Sequence, residues 1–340
     1  MKYIMDQMTC HVPNKFVEEA FKRSIKNKEY QQYAPPMGIP LLHELILKDF
    51  ELEYTDAVVC VTDGSLPAIF QAISQLNTFN IFIDSEPAWR WPRLYNNVNL
   101  ELIFGKIKPS DIVENALVNI CNPQNPLGHL YTKEELEAIG KKTSEVGAYI
   151  LYDCTYKDFI DEYIPLYNLN PERTITMWSM SKSPGLAGMR VGGVICSPDM
   201  MDKLYTLRPN QLGSSFPGQK AAISALYLKD QWLPDLRKIV DLNRDFLYNN
   251  LLDCTFPMED SGSSVWVELP KEVNSSVLTT KLRKQEIFVR DGTYYEGFRW
   301  RAIYCKEYGY EDNFIEVGTA VPMQWISNLC KAINLYINDK

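Results

Sequence analysis

Between about residue 55 and residue 200 the chain repeats one alternation: a short run of consecutive apolar residues, then a stretch of helical character. DAVVCVT (56–62), NIFIDS (80–85), LELIFG (100–105), ALVNICNP (116–123), AYILYD (148–153), TITMWSMS (174–181) and MRVGGVICS (189–197) read as strands. LPAIFQAISQL (66–76) reads as a helix after a Gly-Ser turn, and KEELEAIGKKTSEVG as another that ends at Gly147. Thr132 opens the second helix with Glu135 three residues on, the spacing of a capping box. A strand that is apolar at nearly every position has no face to offer water. Such strands belong to a mostly parallel sheet covered on both sides.

The pattern changes after about residue 245. SSVWVELP (263–270), EIFVRD (286–291), RAIYCKE (301–307) and FIEVGTA (314–320) read as shorter strands, and SSVLTTKLRKQ (275–285) and MQWISNLCKAINLYI (323–337) as helices. This is the pattern of a small α+β unit. With 340 residues and 46% hydrophobic content, the chain has apolar material for more than one such unit. No Gly/Ser/Pro-rich linker interrupts it, so two docked lobes are expected. The expected division is a large domain over residues 46–245 and a small domain built from residues 1–45 and 246–340.

Charge and residue usage narrow the function. A net charge of −8 argues against nucleic acid or an anionic membrane as partner, so a phosphate on any ligand needs a local positive pocket. The N-terminal MKYIMDQMTCHVPNKF lacks the apolar run of a signal peptide, and no stretch approaches the ~20 apolar residues of a membrane span. The eight cysteines are scattered without a CxxC pair, and several sit in strand-like runs. They read as buried, reduced thiols in a cytoplasmic protein. Three histidines, none in a ligand spacing, point away from a metal site and from a Ser-His-Asp engine.

Three strings carry chemistry. In SMSKSPGLAGMRVGG (179–193), Lys182 ends an apolar strand, a glycine-rich turn follows, and Arg190 lies eight residues on. An ammonium shielded from water loses its proton more readily and becomes a nucleophile toward an aldehyde. Ser179, Ser181 and Arg190 are donors suited to a phosphate. The plainer reading is a surface lysine after a strand. In NPQNPLG (122–128), two Asn-Pro pairs and a glycine make a rigid turn. Asn125 is either part of that turn alone or a donor to a ligand oxygen. In YILYDCTYKDF (149–159), Asp153 closes an apolar strand and Tyr156 follows three residues later. A buried carboxylate needs a partner, which is either a backbone amide or helix end, or a protonated ring nitrogen that it keeps cationic.

In this order and spacing the three strings resemble the fold-type I pyridoxal 5′-phosphate (PLP) enzymes, the aspartate aminotransferase superfamily of class I and II aminotransferases. Within it the likeness is greatest to the histidinol-phosphate aminotransferase-like branch, with its string S-x-S-K-x-x-G-L-A-G-x-R-V-G, and it runs from Tyr33 to the last helix. The resemblance implies an α/β fold, with a mostly parallel, seven-stranded-type sheet in a large PLP-binding domain beside a smaller α+β domain. It implies catalytic roles for Lys182 as Schiff-base lysine and proton shuttle, for Asp153 as partner of the pyridinium nitrogen, and for Tyr156. Tyr156 and Asn125 match donors to the ring oxygen, and Ser179 and Arg190 match phosphate ligands. Gly64, Ser65 and Leu66, in a turn before a helix, suit a phosphate held on backbone amides. Trp89, in EPAWRW, falls at the aromatic that stacks on the ring, with a core tryptophan as the plainer reading. Tyr33, in YAPPMG, falls where the family reaches a phosphate across a homodimer interface.

One string departs from the pattern. The family binds the substrate carboxylate with an arginine in a late string like R-I-x-V-G-T, and the matching string here is FIEVGTA. Phe314 stands at the arginine position, and Glu316 shares its strand face. Either a nearby arginine serves, with Arg290, Arg299 and Arg301 as candidates, or Glu316 faces a cationic group on an unusual substrate. The reading that follows is a PLP-dependent aminotransferase acting on an amino acid or a related small amine. The alternatives are a decarboxylase, lyase or cyclase of the same fold, and a non-catalytic PLP-fold module.

Overall fold

The computed structural model describes residues 2–67, 75–76, 80–84, 99–103, 105–125, 128–205, 214–256, 261–292 and 313–339. The strand expected over 301–307 lies outside these residues, and so does most of the helix expected over 66–76. The chain opens with a short strand, β1 (Tyr3–Ile4), and two helices, α1 (Lys15–Lys26) and α2 (Pro40–Asp49). Strands β2 (Val58–Thr62), β3 (Asn80–Ile83), β4 (Asn99–Leu102) and β5 (Leu117–Cys121) follow, then helix α3 (Lys133–Glu145). Next come β6 (Tyr149–Asp153), β7 (Thr174–Ser179) and β8 (Gly192–Cys196), and helices α4 (Pro198–Tyr205), α5 (Phe216–Tyr227) and α6 (Leu233–Asn250). The last part contains β9 (Ser264–Glu268), α7 (Ser275–Lys284), β10 (Ile287–Phe288), β11 (Arg290–Asp291), β12 (Phe314–Gly318) and α8 (Met323–Asn338).

Seven of the strands form one sheet in the order β2-β8-β7-β6-β5-β3-β4. Every pairing from β7 to β4 is parallel, and β8 alone runs against its neighbours β7 and β2. Both faces are covered, which is why the strands are mostly apolar, with Thr62, Asn119, Thr174 and Thr176 buried among them. Ile150 and Tyr152 of β6 pack on one face with Leu42, Ile46, Leu136 and Ile139, while Leu151 between them packs on the other with Met177, Met200 and Leu204. Helix α3 starts where the capping box predicts. The Thr132 hydroxyl accepts from the Glu135 amide at 3.2 Å, and the Glu135 carboxylate accepts from the Thr132 amide at 2.8 Å.

A second, three-stranded sheet has the order β11-β12-β9 and is antiparallel. The single strand expected over EIFVRD divides in two because its halves find different partners. Ile287–Phe288 pairs in parallel with Tyr3–Ile4, whereas Arg290–Asp291 pairs with β12. Val265, Val267, Ile315, Val317 and residues of α7 and α8 form this unit's own apolar core, which Met5 also enters. The N-terminal segment therefore divides its contacts. Residues 3–5 join the small sheet, while α1 and α2 lie on α5, with the Ser224 hydroxyl donating to Phe16 O at 3.0 Å and the Gln219 side chain accepting from Ile39 N at 2.9 Å. Met8, Ala320, Tyr156, Phe159, Leu236 and Val240 form a further buried cluster that joins the strand ends of the large sheet to the small unit. Burial of β6 on both faces sets its cost of truncation. Ile150→Ala is expected to lower the unfolding free energy by about 3 kcal/mol, read as a shift of the urea midpoint at unchanged slope; an unchanged midpoint would contradict tight packing at the sheet centre.

Candidate active site

Polar residues in a sheet covered on both faces collect where the strands end. β5, β6 and β7 are parallel, so their carboxyl ends share one edge, and the chain leaves that edge through Asn125, Tyr156 and Lys182 respectively. β2 runs in the same direction and delivers Gly64 and Ser65. The reversed strand β8 begins at this edge, and it therefore brings Arg190 to the same place. A cavity of about 320 Å³ lies there. Asn125, Tyr156, Ser179, Lys182 and Arg190 line it, together with Ser65 and Leu66.

The parts are held by specific bonds. Asn125 Nδ2 donates to the Tyr156 hydroxyl at 2.9 Å. Lys182 Nζ lies 5.2 Å from the centre of the Tyr156 ring and donates to Gln7 O at 3.0 Å. Arg190 has φ +55° and donates to Ala187 O at 2.8 Å and Asp63 O at 2.9 Å, which ties the glycine turn to the start of β8. The left-handed backbone at Arg190 also explains why β8 begins at Gly192 rather than at Met189, where the sequence suggested. Gly64 has φ +87°, a left-handed backbone that favours glycine, and a Cβ there would crowd the Arg190 guanidinium. Ser179 Oγ accepts from Ser181 N at 3.1 Å, which tightens the turn into Lys182.

Asp153, at the end of β6, is 0% exposed. Its Oδ1 accepts from Thr155 N at 3.0 Å, while Oδ2 is buried with no hydrogen-bond partner among the described residues. Burial pushes its pKa up to about 6, against the Thr155 hydrogen bonding and the positive charge of Lys182, which lower it. A carboxylate in that state lacks a donor at the side chain's free oxygen. Beside it, Asp84 at the end of β3 accepts from Tyr131 OH at 2.6 Å and from Cys121 N at 3.0 Å. Burial raises Asp84 to about 8. Asp84 is a buried acid that the sequence reading passed over, since a lone aspartate after a strand carries no motif.

Other expected residues fall elsewhere. Trp89, Arg299 and Arg301 lie outside the described residues. Tyr33 is 79% exposed and takes no part in lining the cavity. Glu316 is fully buried and pairs with Arg290, directly across the β11–β12 pair, with Nη1 to Oε2 at 3.3 Å. Arg290 also lines the cavity and donates through Nε to Asp6 O at 3.1 Å. Phe314 is buried and stacks on Trp266 at 5.7 Å between ring centres. Gln7 and Thr9 line the cavity too. They belong to a strap, residues 5–11, that crosses from the small sheet to the site through Gly318 N to Met5 O (2.8 Å), Cys10 N to Lys182 O (2.9 Å) and His11 N to Ala320 O (2.8 Å). Backbone bonds hold the strap, so no side-chain signal marks it in the sequence.

The raised pKa of Asp153 has a consequence for stability. Its folded value of about 6 exceeds the ordinary 3.8, so the folded state binds the extra proton between those values, and stability from this group falls as pH rises from about 4 to 6. In ligand-free protein, Asp153→Asn should remove that slope and be the more stable form at pH 7, by on the order of 2 kcal/mol. Denaturation midpoints measured across pH 4–7 check this, and parallel profiles for the two proteins would contradict it.

The comparisons with known proteins follow the same lines. Residues 3–302 match the model of the family aminotransferase class I and II. The chain is 31% identical over 299 residues to a histidinol-phosphate aminotransferase of Thermotoga neapolitana, covering 84% of each chain. It is 29% identical over 188 residues to a histidinol-phosphate aminotransferase of Methanopyrus kandleri, covering 54% of this chain, and 26% identical over 270 residues to an aspartate aminotransferase of Geobacillus stearothermophilus, covering 71% of this chain and 68% of that one. The chain spans about half the length of the Methanopyrus relative, 46%. A Thermus thermophilus aspartate aminotransferase variant superposes with a TM-score of 0.80 at 19% identity, covering 98% of this chain and 91% of that one, so the overall fold is shared. A lysine, a buried aspartate and a glycine-arginine corner at the edge of such a sheet, with a family match over most of the length, give one conclusion: the chain belongs to the class I and II aminotransferases.

Proposed function

We propose that this protein is a PLP-dependent aminotransferase acting on an amino acid or a related small amine. The observation that carries the reading is Asp153, a fully buried carboxylate whose second oxygen awaits a donor. Members of the family use pyridoxal 5′-phosphate, and the residues at the strand ends fit it. Gly64 leaves the corner beside Arg190 open, and Ser65, Ser179 and Arg190 are the donors that would hold the phosphate, with Leu66 at the rim. Tyr156 and Asn125, already bonded to each other, would hold the ring oxygen. Trp89 is proposed to stack on the ring. When bound, the cofactor supplies an aldehyde that an amine can capture and a ring that draws electrons from a bond next to the captured amine.

The chain's own residues do the rest. Asp153 would keep a proton on the ring nitrogen, because a cation beside it removes the cost of its burial. Lys182 carries the amine at the site, and its Nζ would take a proton from the substrate carbon and return it elsewhere. Arg290 is the described cation best placed for a substrate carboxylate. Glu316 orients its guanidinium, and the stacked Phe314 fills the site of the usual late-strand arginine. Arg299 and Arg301 are the alternative receptors. Transamination needs a carboxylate anchor for both of its amino-acid partners, and the Arg290–Glu316 pair supports it over the reading in which Glu316 holds a cationic substrate.

Assembly as a homodimer is part of the proposal. Tyr33 would reach the neighbouring site, and the exposed Ile25, Tyr30 and Leu41 lie close to it in the chain. A cytoplasmic setting is proposed from the free thiols of the seven described cysteines. Among the described residues no helix is long and apolar enough to cross a membrane.

Three experiments test the reading. Purified protein loaded with PLP should absorb as a bound imine, and borohydride should fix the label on Lys182; Lys182→Ala should abolish both, and a label on another lysine would sink the assignment. Incubation with candidate amino acids and 2-oxoglutarate should release glutamate, whereas carbon dioxide or ammonia without glutamate would point to a decarboxylase or lyase. With the best donor, Arg290→Gln should raise KM roughly a hundredfold and lower kcat less, as loss of a bidentate carboxylate contact does. If KM is unchanged there and rises in Arg299→Ala or Arg301→Ala, the receptor role moves to that residue.

A further inference from the structure

Behind the cavity lies a buried group of charges that the mechanism does not use. Lys157 Nζ reaches Asp49 Oδ2 at 2.7 Å and Asp158 Oδ1 at 3.5 Å. Lys229 Nζ reaches Asp158 Oδ1 at 2.5 Å and also pairs with Asp49. The four side chains are only 10–15% exposed. Asp158 takes one more bond, from the hydroxyl of Ser183, and its backbone oxygen accepts from Arg237 Nε at 2.7 Å. Burial alone would raise the Asp158 carboxyl, but Lys229 and Lys157 hold it well below the usual range, so it stays charged.

The position of this group gives it a purpose beyond stability. Lys157 follows Tyr156 in the chain, and Ser183 follows Lys182. Each site residue faces the cavity while its successor faces the ion group. The Asp158–Ser183 bond therefore joins the two segments that bring Tyr156 and Lys182 together, and Lys229 and Asp49 anchor that joint to α2 and to the turn before α6. A buried ion pair is weak evidence for stability as such, since apolar residues of the same volume often serve as well. It does fix geometry, because each partner tolerates few positions without leaving a charge unpaired.

Resting on the aminotransferase reading above, we infer that Asp158 and Ser183 are positioning residues that set Lys182 against Tyr156 for proton transfer. Ser183→Ala removes the link and leaves the four charges paired. The test is a single turnover of PLP-loaded protein with L-glutamate as amino donor, followed by the bound cofactor's absorption. Loss of alignment should slow the saturated rate about tenfold and move the half-saturating glutamate concentration less than roughly twofold. Ser183→Thr, which keeps the hydroxyl, should recover most of the rate, and the pH midpoint of the cofactor's absorption should shift in the alanine variant and return in the threonine one. A merely structural role would lower the melting temperature and leave the rate of folded protein and the pH midpoint untouched. An alanine variant that transaminates at the wild-type rate overturns the inference. Wild-type protein that takes up no PLP overturns the reading of the site itself, and the inference with it.

Discussion

A sheet buried on both faces has one outlet for polar chemistry, the edge where its parallel strands end. The rest of this structure follows from that constraint. β5, β6 and β7 are mostly apolar because they lie in the interior, and charged or ligand-facing groups gather where the strands end. Asp153 sits at that boundary, as Asp84 does on β3. Their burial is costly, and the cost is what makes them selective. Burial raises the Asp153 carboxyl to about 6, and a cation beside its second oxygen would offset that cost.

The reversed strand β8 is the exception that completes the edge. Run parallel, it would carry Arg190 to the far side of the sheet. Run antiparallel, it sets the guanidinium against Asp63 and over Gly64, whose left-handed backbone favours glycine. The Arg190 guanidinium and the Lys182 amine thus come from strands of opposite direction but line one cavity. The strap of residues 5–11 then closes the other side, bonded by its backbone to the Lys182 and small-sheet backbones and to the side chains of Lys182 and Arg290.

The small sheet contributes charge in a different way. Its residues belong to a separate core, yet the β11–β12 pairing turns Arg290 toward the cavity and buries Glu316 behind it. The arrangement keeps a cation at the mouth of the site although the usual position for one holds Phe314. A guanidinium paired with a buried carboxylate keeps its orientation, and its fork of donors suits an anion.

Much of this was present in the amino-acid sequence by itself. The seven strands, the capping box before α3, the small α+β unit, and the strings around Asn125, Asp153 and Lys182 depend on local patterns, because hydrophobic periodicity and turn chemistry act over a few residues. The family resemblance added which strand ends meet. Tertiary structure alone decided the contacts that join distant segments. Glu316 read as a possible receptor for a cationic substrate, and only the register of β11 against β12 gives it Arg290 as partner. Asp49, Asp158 and Lys229 come from three places in the chain, separated by 71 to 180 residues, and carry no motif as isolated charges. Gln7 acts through a backbone oxygen, which every residue has. Local sequence can specify an element and the residue that ends it, but pairing across long separations depends on which surfaces the folded chain brings within hydrogen-bond reach.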